Sequence, residues 1–222
     1  MWRAIGILVY GLAGSSGFLI ADTDRPSRPN IVLLVSDDMG WNGPACYGSD
    51  LHRTPNLDQL AARGMKFTNA YATCHVCSPT RASIMTGKYP GRLDLTDWLS
   101  GRRDFDFQSH LSAEKLQALP LEEVTLAEAL KANGYRTGIF GKWHLGNDQA
   151  GPLSQGFDVQ VPKWNGCCPR GGYHPPYKME GLKIEGKEDE YLTDRLNFMA
   201  LDFIEQAGEK PFFPVSYTHL RA

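Results

Sequence analysis

The sequence has no long run of like charge and, beyond its first 21 residues, no apolar stretch long enough to cross a bilayer. A stable membrane span needs about 20 consecutive apolar residues. The 222 residues include 23 basic and 25 acidic side chains, a net charge of −2 with both signs interspersed. Without a basic run we expect no nucleic-acid partner. The 42% hydrophobic content is typical of a globular protein, either one large domain or part of a larger one.

Residues 1–21 have the pattern of a secretory signal peptide. Arg3 supplies a positive start, an apolar stretch follows, and the small residue Ala21 closes the segment. A buried strand or a membrane anchor is the alternative interpretation. The next segment, 22–28, is polar and typical of the start of a mature chain. We therefore expect residues 1–21 to be removed and the protein to be secreted or periplasmic.

Residues 214–222 are interpreted as an artefact of adapter read-through. Written as GTC TCT TAT ACA CAT CTC CGA GCC, the codons for residues 215–222 match one reading frame of a common transposase-based sequencing adapter. The alternative is a genuine strand, because Phe212, Phe213 and Val215 are good strand formers. Such scars are excluded from a fold assignment, so His219 receives no role. Different codons in the gene would contradict this interpretation.

Strand and helix patterns alternate along the rest of the chain. The continuous apolar run NIVLLVS is typical of a strand buried on both faces of a parallel sheet. Helix-start patterns occur at Thr54-Pro55 and Ser78-Pro79, and Thr125 with Glu128 forms a capping-box pattern. Thr193 is expected to cap the helix with the clearest apolar stripe. The predicted elements are strand 30–36, helix 54–63, strand 65–72, helix 78–86, helix 125–133, strand 135–141 and a helix from 193 past 204.

This alternation predicts an α/β fold with a mostly parallel sheet. The segment 151–186 is rich in Gly and Pro and is expected to form a long irregular insertion near the functional site.

Two adjacent carboxylates, Asp37 and Asp38, follow the first predicted strand. Ligands of open α/β sheets bind beyond the carboxyl ends of the strands. Neighbouring carboxylates repel each other unless a cation compensates them, and oxygen-only ligands suit Ca²⁺ or Mg²⁺. A solvated turn is the alternative, since Asp-Asp-x-Gly is also turn chemistry.

Cys77 lies just before a helix with a well-marked start. The free N–H groups of a helix start favour an anion by about 0.3–1 kcal/mol, which orients an anion but does not drive chemistry. A buried or disulfide-bonded cysteine is the usual alternative in a secreted chain.

The stretch from Cys77 to Arg81, CSPTR, followed by Thr86-Gly87, resembles the sulfatase signature Cys-x-Pro-x-Arg with its later Thr-Gly. The chain also resembles this family at PNIVLLVSDDMGW, TPNLDQLAARG, GYRTGIFGKWHLG and GPLSQGFD, in the same order, from about 30 to 213. It looks most like the arylsulfatase A and N-acetylgalactosamine-6-sulfatase branch. The resemblance implies an alkaline-phosphatase-like α/β/α sandwich with a mixed, mostly parallel sheet, truncated here. Residues 22–213 are then the N-terminal part of a sulfatase catalytic domain.

The resemblance implies hydrolysis of sulfate esters of a sugar or aryl alcohol. In this family the cysteine, here Cys77, is oxidised to Cα-formylglycine by a formylglycine-generating enzyme. One hydroxyl of the hydrated aldehyde attacks sulfur, and the other later loses its proton and expels sulfate. The resemblance also makes Asp37, Asp38 and the modified Cys77 ligands of Ca²⁺.

Three further catalytic residues are implied by the resemblance. Arg81, one helical turn after Cys77, stabilises the formylglycine. Lys142 and His144 alternate within GKWHLG, so an extended backbone places both on one face. In the family this lysine contacts sulfate and formylglycine, and this histidine hydrogen-bonds the formylglycine hydroxyl.

Two other functions stay open. One is a phosphate or phosphonate ester hydrolase on the same fold, although such enzymes typically present Thr or Ser as the nucleophile. The other is an inactive sulfate- or glycan-binding module, although Cys77, Arg81, Lys142 and His144 are all retained. The family's remaining metal ligands and a further sulfate-binding lysine lie later in its chain. The sequence as given is therefore expected to lack activity by itself.

Four cysteines besides Cys77 can form up to two disulfides in three possible connectivities: Cys46, Cys74, Cys167 and Cys168. Arg102 and Arg103 are interpreted as a solvated surface pair, with binding of an anionic sugar as the alternative.

Overall fold

A computed structural model describes residues 28–182 and 189–219 of the chain. The predicted signal peptide at 1–21 lies outside the described residues, as do 183–186 of the predicted insertion and 220–222 of the predicted artefact. Within the described ranges, no helix is both long and apolar enough to cross a membrane.

The described part of the chain alternates strands and helices. Its main elements are β1 (Leu33–Asp37), α1 (Pro55–Arg63), α2 (Cys77–Thr86), α3 (Leu126–Ala132), β2 (Arg136–Gly141), β3 (Val159–Val161), α4 (Leu192–Glu205) and β4 (Phe212–His219). Short 3₁₀ turns occur at Ala45–Tyr47, Pro90–Arg92, Asp148–Ala150 and Pro152–Gln155.

The four strands form one parallel sheet in the order β1-β4-β2-β3. Val35 of β1 pairs with Tyr217 of β4, which in turn pairs with Gly141 of β2. This topology confirms the predicted α/β class with a mostly parallel sheet. Because all four strands point the same way, their carboxyl ends lie at one edge of the sheet.

Two hydrophobic clusters lie on the two faces of the sheet. Ile139 and Phe140 are neighbours in β2, and their side chains point to opposite faces. On one face α4 packs against β2, with the rings of Phe140 and Phe203 edge to face at 5.5 Å. On the other face α2 contributes Ala82 and Met85, and α3 contributes Ala127. The sheet therefore lies between two helical layers.

Strand β4 occupies a central position and runs through residues 214–219, which the sequence analysis left out of the fold. Val215 is fully buried, and Tyr217 is 2% exposed. The strand-forming character of Phe212, Phe213 and Val215 accounts for this placement. The origin of the codons for 214–222 stays a prediction.

The prediction that β1 is buried on both faces is wrong. Its residues alternate in exposure, and Leu34 is 64% exposed. β1 is an edge strand of the described sheet. Within 28–182 and 189–219, no element packs over the face of β1 that carries Leu34. The predicted strand at 65–72 is also wrong. This segment is irregular, and its apolar side chains Met65, Phe67 and Tyr71 are exposed, so among the described residues it has neither a pairing strand nor a buried face.

The helix predictions are confirmed with corrections at two starts. Helix α2 begins at Cys77 with Val76 at the cap position, so Cys77 lies inside the helix and Ser78 does not cap it. The capping box at α3 forms, because the Glu128 N–H donates to Thr125 Oγ1 at 3.1 Å and the Thr125 N–H donates to Glu128 Oε2 at 2.7 Å. Helix α4 begins at Leu192 with Tyr191 at the cap position, so Thr193 lies inside the helix rather than capping it. The apolar stripe of α4 is packed against the sheet. The predicted insertion contains the short strand β3, which its Gly and Pro content concealed.

Candidate active site

The predicted site residues follow strand ends or begin a helix at the carboxyl edge of the sheet. Asp37 is the last residue of β1, and Lys142 follows the last residue of β2. Cys77 is the first residue of α2, and Arg81 lies one turn later on the same helix. The parallel sheet therefore brings together residues that are far apart in the sequence.

Asp37 forms ion pairs with two buried cations. Its Oδ2 accepts a hydrogen bond from Arg81 Nη2 at 2.7 Å, and Lys142 Nζ lies 2.7 Å from the same oxygen. The side chains of Arg81 and Lys142 are only 4% and 3% exposed, and that of Asp37 is 13% exposed. One carboxylate thus compensates two positive charges that are almost completely removed from water.

Burial by itself would raise the pKa of Asp37. The positive charge of Arg81 and the hydrogen bonds from Lys142 and Arg81 outweigh burial and lower this pKa to about 2. Asp37 is therefore ionised at any physiological pH, and the site keeps one net positive charge from these three groups.

Arg81 is held by two further contacts. Its Nη1 donates to the carbonyl oxygen of Lys142 at 2.6 Å, and its guanidinium carbon lies 3.9 Å from the centroid of the Tyr217 ring. Gly141 allows β2 and β4 to approach closely beside this ring, because a Cβ there would lie 1.9 Å from the Tyr217 carbonyl oxygen. Sequence reasoning missed Tyr217 because it lies in the segment interpreted as an artefact.

His144 is buried beside the cation pair, with 5% of its surface exposed. Its Nε2 hydrogen-bonds the carbonyl oxygen of Leu99, so Nε2 carries the proton and donates. Burial lowers the pKa of His144 to about 4 against the opposing effect of that hydrogen bond, and the charges of Lys142 and Arg81 lower it further. The imidazole is therefore neutral at pH 7, with Nδ1 available as an acceptor.

Two buried nitrogens of the site have no hydrogen-bond partner within the described part of the chain: Arg81 Nε and His144 Nδ1. One is a donor and the other, in neutral His144, an acceptor. Buried polar atoms of this kind are costly unless a bound group satisfies them. The site therefore suits bound polar groups that accept a hydrogen bond from Arg81 Nε and donate one to His144 Nδ1.

Cys77 and Asp38 line one cavity together with Asp37, Arg81 and Tyr217. Cys77 is half-buried at the start of α2, whereas Asp38 is exposed and has a positive φ of 60°. His144 opens instead into the neighbouring groove on the Leu99 side. The structure thus gathers all six predicted residues at one edge, with direct side-chain contacts among Asp37, Arg81 and Lys142.

Asp37 and Asp38 supply the hard oxygen donors that Ca²⁺ prefers. Among residues 28–182 and 189–219, no group of three or more His, Cys, Asp or Glu side chains could hold a metal ion. The two carboxylates therefore supply only some of the ligands that a calcium site needs.

The loop from Trp164 to Cys168 also borders the site. The sequence did not predict which residues of this loop lie there. Cys167 and Cys168 line a cavity together with Lys142, and Cys167 also borders the His144 groove. Proximity to the site was predicted only for the segment 151–186 as a whole, because Gly and Pro content marks an irregular loop without showing which residues it presents.

Comparisons with known proteins agree on one family. The Sulfatase family profile matches residues 29–219. Arylsulfatase A of Homo sapiens is 44% identical over 149 residues, covering 66% of this chain and 26% of that protein. N-acetylgalactosamine-6-sulfatase of Canis lupus familiaris is 36% identical over 233 residues, covering 96% of this chain and 42% of that protein.

A solved structure shares the fold at similar identity. The structure of BT4656 in complex with its substrate D-glucosamine-2-N,6-O-disulfate has a TM-score of 0.64 to this chain at 30% identity. The match covers 86% of this chain and 34% of that one. The chain spans about a quarter to two fifths of the length of the curated relatives above.

Proposed function

The chain belongs to the sulfatase family, and from that premise we propose that the protein hydrolyses sulfate esters of a sugar or an aryl alcohol. The described sheet and helical layers are a part of the alkaline-phosphatase-like fold of that family. The observation that carries the proposal is the pair of buried cations, Arg81 and Lys142, fixed on Asp37 next to Cys77 at the start of α2.

The two cations would act on the reacting groups, with Lys142 in contact with the sulfate and the formylglycine and Arg81 stabilising the formylglycine. Arg81 and Lys142 are buried and held in place before any substrate arrives. Preorganised positive charge in a site with little water stabilises negative charge that develops on the sulfuryl oxygens in the transition state. Asp37 keeps the two cations at a fixed separation and prevents the repulsion between them from opening the site.

Residue 77 would supply the nucleophile after its oxidation to Cα-formylglycine by a formylglycine-generating enzyme. The hydrated aldehyde offers one hydroxyl for attack on sulfur and a second for release of the sulfate. Cys77 fits this role by position, because the first turn of α2 directs free N–H groups towards an anion. Neutral His144 would accept a hydrogen bond from a hydroxyl through Nδ1, the atom left without a partner among the described residues.

Asp37 and Asp38, with residue 77, would hold Ca²⁺. When bound, the ion supplies positive charge that polarises a sulfuryl oxygen. Asp37 would then serve both the ion and the two protein cations. Its pKa, lowered to about 2, keeps it ionised for both tasks.

A sulfated carbohydrate is the substrate class we favour over a simple aryl sulfate. BT4656, the relative solved with D-glucosamine-2-N,6-O-disulfate, supports this choice. A polar groove lined by Gln117, Asp148, Lys163 and Asn165 opens beside His144 and offers hydrogen-bonding partners for sugar hydroxyls. We further propose a signal peptide at 1–21, a catalytic-domain segment at 22–213 and a secreted or periplasmic location.

The test is expression of the full-length enzyme together with a formylglycine-generating enzyme. Peptide mass spectrometry should show that residue 77 has lost sulfur and two hydrogens and gained one oxygen. The preparation should release sulfate, and not phosphate, from matched esters. Cys77→Ala should abolish release, and Cys46→Ala, a change on a 3₁₀ turn outside the site, should keep it. An unmodified thiol at residue 77 in a fully active enzyme would refute the proposal, and phosphate release would favour the phosphatase alternative.

A further inference from the structure

Two adjacent cysteines, Cys167 and Cys168, lie in the loop between β3 and α4 and have no part in the reaction proposed above. Their sulfur atoms are 3.0 Å apart. Cys167 is half-buried and Cys168 is exposed, so the pair is accessible to other thiols and disulfides. Adjacent cysteines in contact at the surface of a cleft are a candidate site for reversible oxidation.

The loop that carries the pair is fixed on the ring of Trp164. Trp164 Nε1 donates to the carbonyl oxygen of Cys168 at 2.8 Å. A Cβ at Gly166 would lie 2.5 Å from the same indole ring, so only glycine allows the chain to pass this close. Arg170 follows the two cysteines in the sequence, and its guanidinium lies 5.6 Å from the centroid of the Trp164 ring. The two thiols are therefore held in a defined turn.

This loop is attached to the candidate active site. The His144 N–H donates to the carbonyl oxygen of Asn165 at 3.1 Å, and the Asn165 side chain donates to Asp148 at 2.8 Å. Cys167 and Cys168 also form part of the wall of the cavity that contains Lys142. A change of covalent state at the pair would thus occur on the wall of the site, two residues from the hydrogen bond to His144.

We propose that Cys167 and Cys168 form a reversible vicinal disulfide on the wall of the candidate active site, and that the disulfide is the state compatible with catalysis. The second half of this inference rests on the proposed formylglycine at residue 77. The first half depends only on the two cysteines and their loop.

The oxidation requires a disulfide as co-reactant, such as oxidised glutathione or a protein disulfide of an oxidising compartment. One cysteine of the pair, as a thiolate, attacks a sulfur of that disulfide, which breaks and releases one thiol. The other cysteine then attacks the mixed disulfide, forms the Cys167–Cys168 bond and releases the second thiol. Two protein thiols are oxidised, one disulfide is reduced to two thiols, and the two protons end on the released thiols.

Covalent geometry makes such a bond easy to reverse. Adjacent Cα atoms are about 3.8 Å apart, whereas disulfide-bonded residues usually have Cα atoms about 4.4–6.8 Å apart. Strained and exposed disulfides are the ones that are readily reduced and that serve regulatory roles.

The oxidised state protects an aldehyde. A thiol adds to an aldehyde: the sulfur–carbon bond forms, and the thiol proton passes to the aldehyde oxygen. Cys168 lines a cavity together with Lys142 and Tyr217, and Tyr217 also lines the cavity that contains residue 77, where an aldehyde would be formed. Conversion of both thiols to a disulfide removes this competing nucleophile.

Trypsin provides a direct readout, because cleavage after Lys163 and Arg170 releases residues 164–170 with both cysteines and no other. The full-length protein is equilibrated in glutathione buffers of increasing oxidised fraction, quenched with acid, alkylated and digested. We expect the peptide from oxidising buffers to be two hydrogens lighter than the dithiol form and unalkylated. In reducing buffers it should carry two alkyl groups. A peptide that stays doubly alkylated in oxidising buffer, or that is linked to Cys46 or Cys74, would overturn the proposal.

Activity provides the second readout. Reduction of the formylglycine-containing enzyme should cause a loss of turnover that reoxidation reverses. The double variant Cys167→Ser with Cys168→Ser should lose this sensitivity to reductant, and the control Cys46→Ser should retain it. Turnover that is indifferent to reduction, in an enzyme whose peptide shows the disulfide, would overturn the catalytic half. A disulfide in a protein that releases no sulfate would support the modification site and reject the proposed function instead.

Discussion

Lys142 Nζ lies 2.7 Å from Asp37 Oδ2, so the residue that follows β2 is ion-paired with the last residue of β1 across the intervening strand β4. Arg81 Nη2 contacts the same carboxylate oxygen at the same distance. Since both cations are buried, the negative charge of Asp37 offsets the free-energy cost of removing them from water. Asp37 therefore has a structural role, the compensation of two buried positive charges, in addition to its proposed role as a metal ligand.

The first prediction concerns the stability of the fold. Asp37→Asn leaves two buried cations without a counter-charge, and removal of one partner from a buried ion pair costs about 3–5 kcal/mol. We therefore expect the free energy of unfolding, measured with urea in Ca²⁺-free buffer, to fall by about that amount.

Asp38→Asn is the matched control. Asp38 is exposed and has a positive φ, which Asn tolerates. Its effect on stability should stay within about 0.5 kcal/mol, whereas in the full-length enzyme both variants should lose nearly all turnover, because each removes a proposed calcium ligand. Equal losses in the two variants would show that the ion pairs of Asp37 add nothing to the free energy of unfolding beyond the effect of removing an exposed carboxylate.

The second prediction separates binding from chemistry. Lys142→Met and His144→Ala should lower kcat more than they raise KM, because both residues are assigned to the reacting group. The loss of one charged or polar contact of this kind costs roughly 3 kcal/mol, about a hundredfold in rate. Kinetics on an aryl sulfate and on a sulfated sugar should give similar losses of kcat. A loss confined to the sulfated sugar would instead assign His144 to recognition of the sugar.

Arg102→Met is the control for these variants. Arg102 is exposed in a polar segment, and its backbone N–H is bonded to Asp97. Its replacement should act on KM if it acts at all. A hundredfold fall in kcat at this position would contradict the assignment of Lys142 and His144, rather than Arg102, to the reacting group.

Sequence patterns predicted the parts of this fold that depend on local chemistry. The capping box at Thr125 and Glu128 requires only two side chains three residues apart, and it formed as expected. The edge position of β1 depends on which strands pair with it, which a periodicity pattern does not contain. The strand predicted at 65–72 failed for the same reason, since strand propensity has no effect without a partner strand.

The candidate site was predictable where a motif fixes neighbours in space. Cys77 and Arg81 lie on one helix turn, and Asp37 ends a strand, so their proximity follows from local structure and a parallel sheet. The contact of Arg81 with Tyr217 depends on the central position of β4, and the position of Cys167 and Cys168 depends on an irregular loop. Neither contact has a periodic pattern in the sequence.

The third prediction compares Thr125, which caps α3 as predicted, with Thr193, which was predicted to cap α4 and does not. Thr125 is buried, accepts from the Glu128 N–H and also donates to the Gln155 carbonyl oxygen at 2.8 Å. Thr125→Ala should therefore lower the free energy of unfolding by about 1–2 kcal/mol. Thr193, the second residue of α4, does not occupy a cap position. Thr193→Ala should change stability by less than about 0.5 kcal/mol, and urea unfolding that ranks the two variants the other way would contradict the assignment of the caps.

The last prediction concerns the pH dependence of stability. Burial lowers the pKa of His144 from 6.5 to about 4, with smaller contributions from Lys142 and Arg81. Between these two values the unfolded chain binds a proton at this position that the folded protein does not. Stability therefore falls as the pH is lowered from 6.5 to 4, and the contribution of His144 is fully present only above that window.

His144→Gln isolates this contribution. Glutamine can still donate to the Leu99 carbonyl oxygen but does not titrate, so the decline in urea midpoint between pH 6.5 and 4 should be shallower than in the unmodified protein. His110, which is exposed, provides the matched control, because His110→Gln should leave the pH profile parallel to that of the unmodified protein. If His144→Gln and the unmodified protein lose stability in parallel across this window, then His144 binds protons equally in the folded and the unfolded state. In that case the folded protein does not lower the pKa of His144, and the fold does not hold this imidazole in the neutral form.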